Sequence, residues 1–267
     1  MLMDQTITYK KSKLSYSIVG KGKPVLLVHG FGEDGNIWEN QVACLESHFQ
    51  LLIPHLPGSG CSEMIEDMSL EGIAESIYFI LQHEEIKECV VIGHSMGGYI
   101  ALAFAEKYPD LTLGLGLFHS SAFPDNEEKI ISRKKGIEFI LANGAQSFLE
   151  HATPKLYSDY SKKNQRHIID QNISAVSYFS KEALIVYYES MMKRPDRTAV
   201  LKQNKIPVLF VLGRTDTAVP LEDGLRQAHL PLISYIHILE NSGHMGMVEE
   251  IEKSCFILKN YLSWVSK

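Results

Sequence analysis

The segment from residue 90 to residue 104 constrains the fold of this chain most strongly. It opens with a short apolar, β-branched run, continues as Gly-His-Ser-Met-Gly-Gly and ends in an apolar helix-forming run. A strand–turn–helix of this kind holds the central serine on a sharp turn with its hydroxyl exposed. Gly93 and Gly97 have no Cβ atom to obstruct the turn, so we predict a positive φ angle at Ser95. The alternative is an ordinary serine in a glycine-rich turn.

Ser95 in this context is a candidate nucleophile, and a serine hydroxyl needs a base to take its proton. Of the eleven histidines, we assign the base to His244, on a glycine-flanked loop after a late predicted strand. A carboxylate would fix the imidazole tautomer. Asp216 is the first candidate, although it could instead cap a short helix or pair with Arg214 at the surface; Asp125 and Glu240 are weaker candidates. All these loops leave the carboxyl ends of predicted parallel strands, where active groups gather.

A second glycine-rich turn, His-Gly-Phe-Gly, follows the apolar run at residues 24–28. Such a turn presents backbone N–H groups rather than side chains, so the amides of Phe31 and Met96 are candidate oxyanion donors. The alternative is a generic turn at the end of a strand. We expect His29 and His94 to be structural, bracing the loops on which they lie.

Apolar runs and helical periodicity alternate along most of the chain, which indicates an α/β fold. Strands are predicted at residues 6–9, 14–19, 24–28, 49–54, 89–92, 111–118, 206–212 and 233–239, with the first two forming an antiparallel hairpin at a sheet edge. The alternation stops between residues 120 and 198. Helices are predicted there at residues 127–141, 146–153, 162–176 and 181–193. We therefore expect a core domain of residues 1–119 and 199–267, with a helical cap at 120–198.

Charge and hydropathy exclude several classes of function. The net charge is −6, and the one compact basic group, residues 133–135, is expected on a solvated helix face, so nucleic acid is not an expected partner. No apolar run approaches the ~20 residues that span a bilayer. The N-terminal residues lack a signal-peptide pattern, and the four cysteines lack metal-type spacing. We expect a cytoplasmic protein with reduced cysteines, without a metal or organic cofactor.

Four segments together resemble the signature segments of the α/β-hydrolase fold, in the nucleophile–acid–base order of that family. They are the turns around Ser95 and Phe31, Gly-Arg-Thr-Asp ending at Asp216, and Ser-Gly-His ending at His244. The resemblance implies a mostly parallel eight-stranded sheet with helices on both faces and a helical cap inserted after strand 6. It also implies a Ser95–Asp216–His244 triad that acts through an acyl-enzyme. One departure is His55, where many relatives have aspartate.

The expected activity is cleavage of an ester or similar acyl bond in a small, partly apolar substrate. Serine rather than aspartate at position 95 argues against dehalogenase and epoxide hydrolase chemistry. The same triad also serves C–C bond hydrolases, aminopeptidases, amidases and lyases, and substrate choice lies in the cap. Glu182 and Glu189 would suit an aminopeptidase, but solvated helix faces explain them equally well. A non-catalytic ligand receptor is the alternative outside enzymes, and the sequence assigns no oligomeric state.

Overall fold

The computed structural model describes residues 4–176, 178–203 and 205–266. Eight strands form one sheet in the order β1-β2-β4-β3-β5-β6-β7-β8. The strands are β1 (Asp4–Tyr9), β2 (Ser12–Val19), β3 (Lys23–Val28), β4 (Phe49–Pro54), β5 (Cys89–His94), β6 (Thr112–Phe118), β7 (Val208–Gly213) and β8 (Ser234–Leu239). The pairs β1–β2 and β2–β4 are antiparallel, and all other pairs are parallel. The predicted fold class and the edge hairpin are confirmed.

Helices cover both faces of this sheet. They are α1 (Glu39–Leu45), α2 (Leu70–His83), α3 (Met96–Lys107), α4 (Glu127–Ala152), α5 (Asp159–Asn164), α6 (Arg166–Ala175), α7 (Lys181–Lys193), α8 (Thr198–Gln203), α9 (Leu221–Gln227), α10 (Gly246–Glu249) and α11 (Ile251–Val265). Alternate residues of the central strands face opposite sides because side chains alternate along a strand. Leu26 and Val91 pack with α2 and α3, whereas Leu27 and Ile92 pack with α1 and α11.

Strand β5 lies at the centre of the sheet and carries the predicted nucleophile turn. All six of its residues are buried, as expected for a parallel strand covered on both faces. Its end is aligned with the neighbouring strand ends, because Gly93 pairs with Val28 and His94 pairs with Phe118. The loops that follow β3, β5 and β6 therefore leave the same edge of the sheet.

The chain between β6 and β7 is helical, and we refer to α4–α7 as the inserted helices. Gly144 (φ 85°, ψ 167°) breaks α4, close to the predicted stop. The single helix predicted at residues 162–176 was wrong, because the chain leaves helical geometry at Gln165 (φ −131°, ψ 31°) and α5 and α6 lie on either side. The C-terminal helical stretch is likewise interrupted, at Glu250 (φ −130°, ψ 63°).

Two sequence-based expectations about single side chains were also wrong. Cys44 on α1 and Cys255 on α11 form a disulfide with their Cα atoms 6.2 Å apart, so these two cysteines are not reduced. Since 211 residues separate them, only the packing of α1 against α11 brings them together. This disulfide removes the cysteine argument for a cytoplasmic protein. Arg133 does not lie on a solvated face, because its guanidinium binds the buried carboxylate of Asp125.

Among the described residues, no helix combines the length and the apolar character needed to cross a bilayer. Apart from the disulfide, Cys61 is a free exposed thiol and Cys89 a free buried one.

Candidate active site

The turn between β5 and α3 has the strained geometry that its glycines predict. Ser95 takes φ 52° and ψ −117°, which confirms the predicted positive φ angle. A Cβ atom on Gly93 would lie 2.2 Å from the carbonyl oxygen of Gly97, so only glycine fits there. The amide of Ser95 donates to the carbonyl of Phe118 (3.0 Å), and the Ser120 hydroxyl donates to the carbonyl of Ser95 (2.7 Å). The serine hydroxyl is thus held at the edge of the sheet.

Three predicted residues, distant in sequence, form one hydrogen-bonded line. His244 Nε2 lies 2.8 Å from Ser95 Oγ, and His244 Nδ1 lies 2.8 Å from Asp216 Oδ2. With the Asp216 carboxylate accepting from Nδ1–H, the Nε2 lone pair faces the serine hydroxyl. Asp216 and His244 are buried, whereas Ser95 is half-buried and reachable from the surface. This is the order of groups that proton removal from a serine requires.

The carboxylate of Asp216 accepts four hydrogen bonds. Its Oδ1 accepts from the amides of Ala218 and Val219 (2.8 Å each), and its Oδ2 accepts from His244 and from His119 Nδ1 (3.1 Å). Burial by itself would raise the pKa of Asp216, but the two imidazoles outweigh it and hold that pKa well below its usual range. Asp216 is therefore ionised at neutral pH.

His119 is a buried partner of this line that sequence reasoning missed. It directly follows β6 with a left-handed backbone (φ 49°), and its ring is fully buried. Burial lowers the pKa of His119, which keeps the imidazole neutral, with Nδ1–H as the donor to Asp216. Its Nε2 has no hydrogen-bond partner among the described residues, which agrees with an unprotonated nitrogen. The position after a parallel strand was the available sequence signal.

His94 and Glu33 connect the nucleophile turn to the neighbouring loops. Glu33 Oε2 accepts from the amide of Gly30 (2.7 Å) and lies 2.9 Å from His94 Nδ1. His94 Nε2 lies 3.0 Å from the carbonyl of His244. Burial alone would lower the pKa of His94, but the Glu33 carboxylate raises it, so an imidazolium donates to both oxygens. The structural role predicted for His94 is confirmed; Glu33 was not predicted.

The two amides predicted as oxyanion donors belong to residues next to the serine. Met96 is the first residue of α3, where a helical amide has no intrahelical acceptor. Phe31 follows Gly30, and a Cβ atom on Gly30 would lie 3.2 Å from Ser95 Cβ. The loop that carries Phe31 is braced by His29, whose Nδ1 donates to the carbonyl of Gly30 (2.9 Å).

His29 is fully buried and links two loops, as predicted for a structural residue. Its Nε2 accepts from the amide of Leu56 (2.9 Å) and lies 2.9 Å from Ser59 Oγ. Burial lowers the pKa of His29 to about 4, so the ring is neutral. His55, at the position where many relatives have aspartate, accepts from the amide of Gly35 at Nδ1 (3.4 Å). A loop contact is therefore present at position 55.

The other acid candidates are occupied elsewhere. Asp125 binds Arg133 (2.6 Å) and Arg194 (2.7 Å), and Glu240 binds Arg214 (2.7 Å). Arg214, the alternative surface partner for Asp216, is therefore paired with Glu240 instead.

Glu249 is a further buried carboxylate that sequence reasoning missed. Its Oε1 accepts from the amides of Gly243 (2.8 Å) and Met245 (3.2 Å), on both sides of His244. Its Oε2 accepts from the amide of Ser158, among the inserted helices. Glu249 therefore holds the histidine loop in place.

Two cavities open beside these loops. One, of about 430 Å³, is bordered by Phe31 and by Met245, next to His244. The other, of about 490 Å³, is bordered by Tyr188 of α7 and by Thr217, next to Asp216. The Phe31 ring stacks on the Tyr188 ring with centroids 4.3 Å apart, and Leu156 borders both cavities. These volumes suit a small organic molecule.

His119, Asp216 and His244 also form a group with the composition of a metal site, since their ligand atoms lie within 4.8 Å of one another. The nitrogen–oxygen distances of 2.8 and 3.1 Å are those of hydrogen bonds. Hydrogen bonds from the two imidazoles to Asp216 therefore explain why these three side chains lie close together.

Comparison with known proteins agrees with this architecture. The family model described as the alpha/beta hydrolase fold matches residues 23–251. The pimeloyl-[acyl-carrier protein] methyl ester esterase of Methylococcus capsulatus is 25% identical over 256 residues, covering 91% of this chain and 96% of that protein.

Solved structures give the same result. A thermophilic esterase from Thermogutta terrifontis, solved with malate bound, matches with a TM-score of 0.92 and 28% identity over 99% of this chain and all of that one. The enol-lactonase from Burkholderia xenovorans LB400 shares the fold, with a TM-score of 0.89 and 19% identity over 97% of this chain and all of that one. The chain belongs to the α/β-hydrolase fold family and is a hydrolytic enzyme, as its motifs predicted.

Proposed function

We propose that this enzyme is a serine esterase that cleaves a small, partly apolar ester through a Ser95–His244–Asp216 triad. The observation that carries the proposal is the unbroken line of two 2.8 Å hydrogen bonds from the Ser95 hydroxyl through His244 to Asp216. Such a line activates a hydroxyl that is otherwise a poor nucleophile. The esterases from Methylococcus capsulatus and Thermogutta terrifontis support ester rather than C–C bond cleavage.

The chemistry follows from the atoms in this line. Ser95 Oγ attacks the acyl carbon while His244 Nε2 takes its proton, and ionised Asp216 stabilises the imidazolium. The amides of Phe31 and Met96 stabilise the tetrahedral oxyanion. His244 then returns the proton to the departing alcohol, which leaves an acyl-enzyme on Ser95. Water, deprotonated by the same imidazole, attacks the acyl carbon, and the imidazolium returns the proton to Ser95 Oγ as the acid leaves.

The inserted helices are the part of the enzyme that we expect to face the substrate. We assign residues 120–198 to a cap over the core formed by residues 1–119 and 199–267. Two observations support a cap: Leu156 accepts a hydrogen bond from the amide of His244 (2.6 Å), and Tyr188 of α7 stacks on Phe31. The two cavities lie between these helices and the core loops, so the cap shapes the space that a substrate enters.

The test is turnover of p-nitrophenyl butyrate by the wild-type enzyme and by Ser95→Ala. We expect kcat to fall by roughly 10⁴-fold or more, because the variant lacks the nucleophile. Ser263→Ala is a matched control, since Ser263 is exposed on α11. Circular dichroism and thermal unfolding should match the wild type in both variants. Undiminished turnover by a folded Ser95→Ala enzyme would overturn the proposal, as would a wild-type enzyme that hydrolyses no ester.

A further inference from the structure

The cavity of about 490 Å³ between α4, α7 and the loop after β7 concentrates positive charge. Four of its lining side chains are cationic, namely Lys129, Arg133, Lys135 and Lys155, and His151 adds an imidazole. None of the described residues that line it is aspartate or glutamate. This is notable in a chain whose net charge is −6. Clustered charge of one sign attracts ligands of the opposite sign.

Part of this charge is not neutralised by the protein. Arg133 is paired with Asp125 (2.6 Å), and Lys129 is paired with Asp223 (3.8 Å). Lys135 and Lys155 are exposed, and neither has a carboxylate within ion-pair distance in the part of the chain that the structure describes. Two uncompensated ammonium groups therefore face the same cavity.

Most of the rest of the cavity wall is apolar, with hydroxyl groups from Ser132 and Thr217, and it lies close to the proposed catalytic groups. Phe139, Phe148 and Tyr188 supply aromatic surface, and Leu156 supplies aliphatic surface. The carbonyl of Leu156 accepts from the amide of His244, and Tyr188 stacks on the ring of Phe31. A ligand that reaches from here to the serine would place apolar atoms against these side chains and an anionic group near the lysines.

The neighbouring cavity of about 430 Å³ has the opposite character. Its lining includes the carboxylates of Glu33, Asp34 and Glu39, together with the amide side chains of Gln171 and Asn172. Glu33 is paired with His94, but no Lys, Arg or His is among the described residues that line this cavity, so an anionic group is disfavoured there. The two cavities therefore distinguish the ends of a substrate by charge.

We propose that the basic cavity is a subsite for an oxyanion group, a carboxylate or a phosphate, carried by the ester substrate at some distance from the scissile bond. This inference rests on the proposed esterase function and narrows its substrate class to amphipathic esters with one anionic end. Lys135 and Lys155 are the specificity-determining residues, and the aromatic wall holds the short chain between the anion and the ester.

The test compares kcat/KM for neutral and anionic esters of equal length. The neutral sets are p-nitrophenyl alkanoates, matched to the first anionic set below, and alkyl acetates, matched to the other two. The anionic sets are mono-p-nitrophenyl esters of dicarboxylic acids, acetyl esters of hydroxycarboxylic acids and acetyl esters of phosphorylated diols. The first set carries a carboxylate on the acyl side of the ester. The other two carry a carboxylate or a phosphate on the alcohol side. We expect at least one anionic set to exceed its neutral match by roughly tenfold, the size of one well-placed charge interaction. The preference should shrink as salt rises.

The variants are Lys135→Gln with Lys155→Gln, and Lys134→Gln as the matched control. Lys134 lies on α4 beside Lys135 and is exposed, but it does not line the cavity. The double variant should lose the anionic preference and keep neutral-ester turnover within twofold, whereas Lys134→Gln should change neither.

Equal kcat/KM for neutral and anionic esters in the wild type would overturn the subsite and leave the esterase intact. An equal loss in the double variant and in Lys134→Gln would overturn it as well. If no ester is hydrolysed, the proposed function fails instead. The subsite is then tested by calorimetric titration with glutarate, which should bind the wild type at least fivefold more tightly than the double variant; equal binding would contradict it.

Discussion

At the scale of single residues, the carboxylate of Asp216 has every acceptor position filled by a donor of the protein. Two backbone amides hold Oδ1, and two imidazoles share Oδ2. A carboxylate fixed in this way cannot rotate away from His244 without breaking several buried hydrogen bonds, each of which is costly to leave unmade. The orientation of His244 therefore depends on His119 as well as on Asp216.

This dependence makes His119 a positioning residue that can be tested with two variants. Asparagine places an N–H donor close to the position of Nδ1, whereas leucine fills the space without a donor. We expect His119→Leu to lower kcat by roughly tenfold, since a hydrogen bond to a charged group contributes about 1.5–3 kcal/mol. His119→Asn should recover most of kcat, and KM should stay within about twofold in both, as expected for a group that does not bind substrate. Equal losses in both variants would indicate a packing role only.

The buried neutral ring of His29 makes stability depend on pH. Its pKa is lowered to about 4 in the folded protein, against about 6.5 in the unfolded chain. Between these values the unfolded state binds the extra proton, so stability is full above the unfolded pKa and falls as pH falls towards 4. For this one group we expect a loss of about 2 kcal/mol between pH 7.5 and pH 5.

The measurement is the free energy of unfolding in urea at both pH values, for the wild type and for His29→Gln. Other groups titrate as well, so the difference between the two proteins isolates His29. The wild type should lose about 2 kcal/mol more than the variant on acidification. Parallel losses would show that His29 does not titrate on unfolding as its burial requires.

Sequence reasoning found the residues that local context marks and missed those that only the fold brings together. Ser95 stands in a strand–turn–helix pattern, and His244 stands between glycines after a strand, so both carried a local signal. His119 meets Asp216 across 97 residues, and Glu33 meets His94 across 61. His119 follows a predicted strand, but nothing near His119 or Glu33 in the sequence shows which side chain it meets.

At the scale of elements, strands were easier to predict than helices. A parallel strand buried on both faces is a continuous apolar run, and β5 and β7 showed this pattern plainly. Residues 161–167 are all polar, so apolar periodicity gave no sign that Gln165 leaves helical geometry. The short helices α8 and α9 have too few turns to show a period.

The disulfide between α1 and α11 could not be predicted from the sequence, because only the folded structure brings Cys44 and Cys255 together. It should have a measurable effect on stability. It closes a loop of 211 residues, which restricts the unfolded chain. We expect Cys44→Ser to lower the free energy of unfolding by about 2–4 kcal/mol relative to the oxidised wild type. Reduction with dithiothreitol should lower the stability of the wild type alone. Cys61→Ser is the control, since Cys61 is free and exposed; identical unfolding of all three proteins would contradict the expectation.

At the scale of the whole molecule, the sheet positions the loops of the site, and the inserted helices border the cavities beside them. The sheet aligns the ends of β3, β5, β6 and β7, so that loops far apart in sequence meet at one edge. The inserted helices shape the space above that edge, where one cavity is basic and the other acidic. The motifs predicted the first part, because glycine-rich turns mark the strand ends. The second part depends on how exposed charges of α4 and its neighbours are arranged, which periodicity does not reveal.

The proposed chemistry depends on the activation of Ser95 by His244. The most direct measurement is reaction with a fluorophosphonate followed by mass spectrometry of the digested protein, for the wild type, Ser95→Ala and His244→Gln. We expect one phosphonyl group on the peptide that contains Ser95, none on Ser95→Ala, and a labelling rate at least a hundredfold lower in His244→Gln. An unlabelled wild-type Ser95, or equal rates in the wild type and His244→Gln, would contradict it.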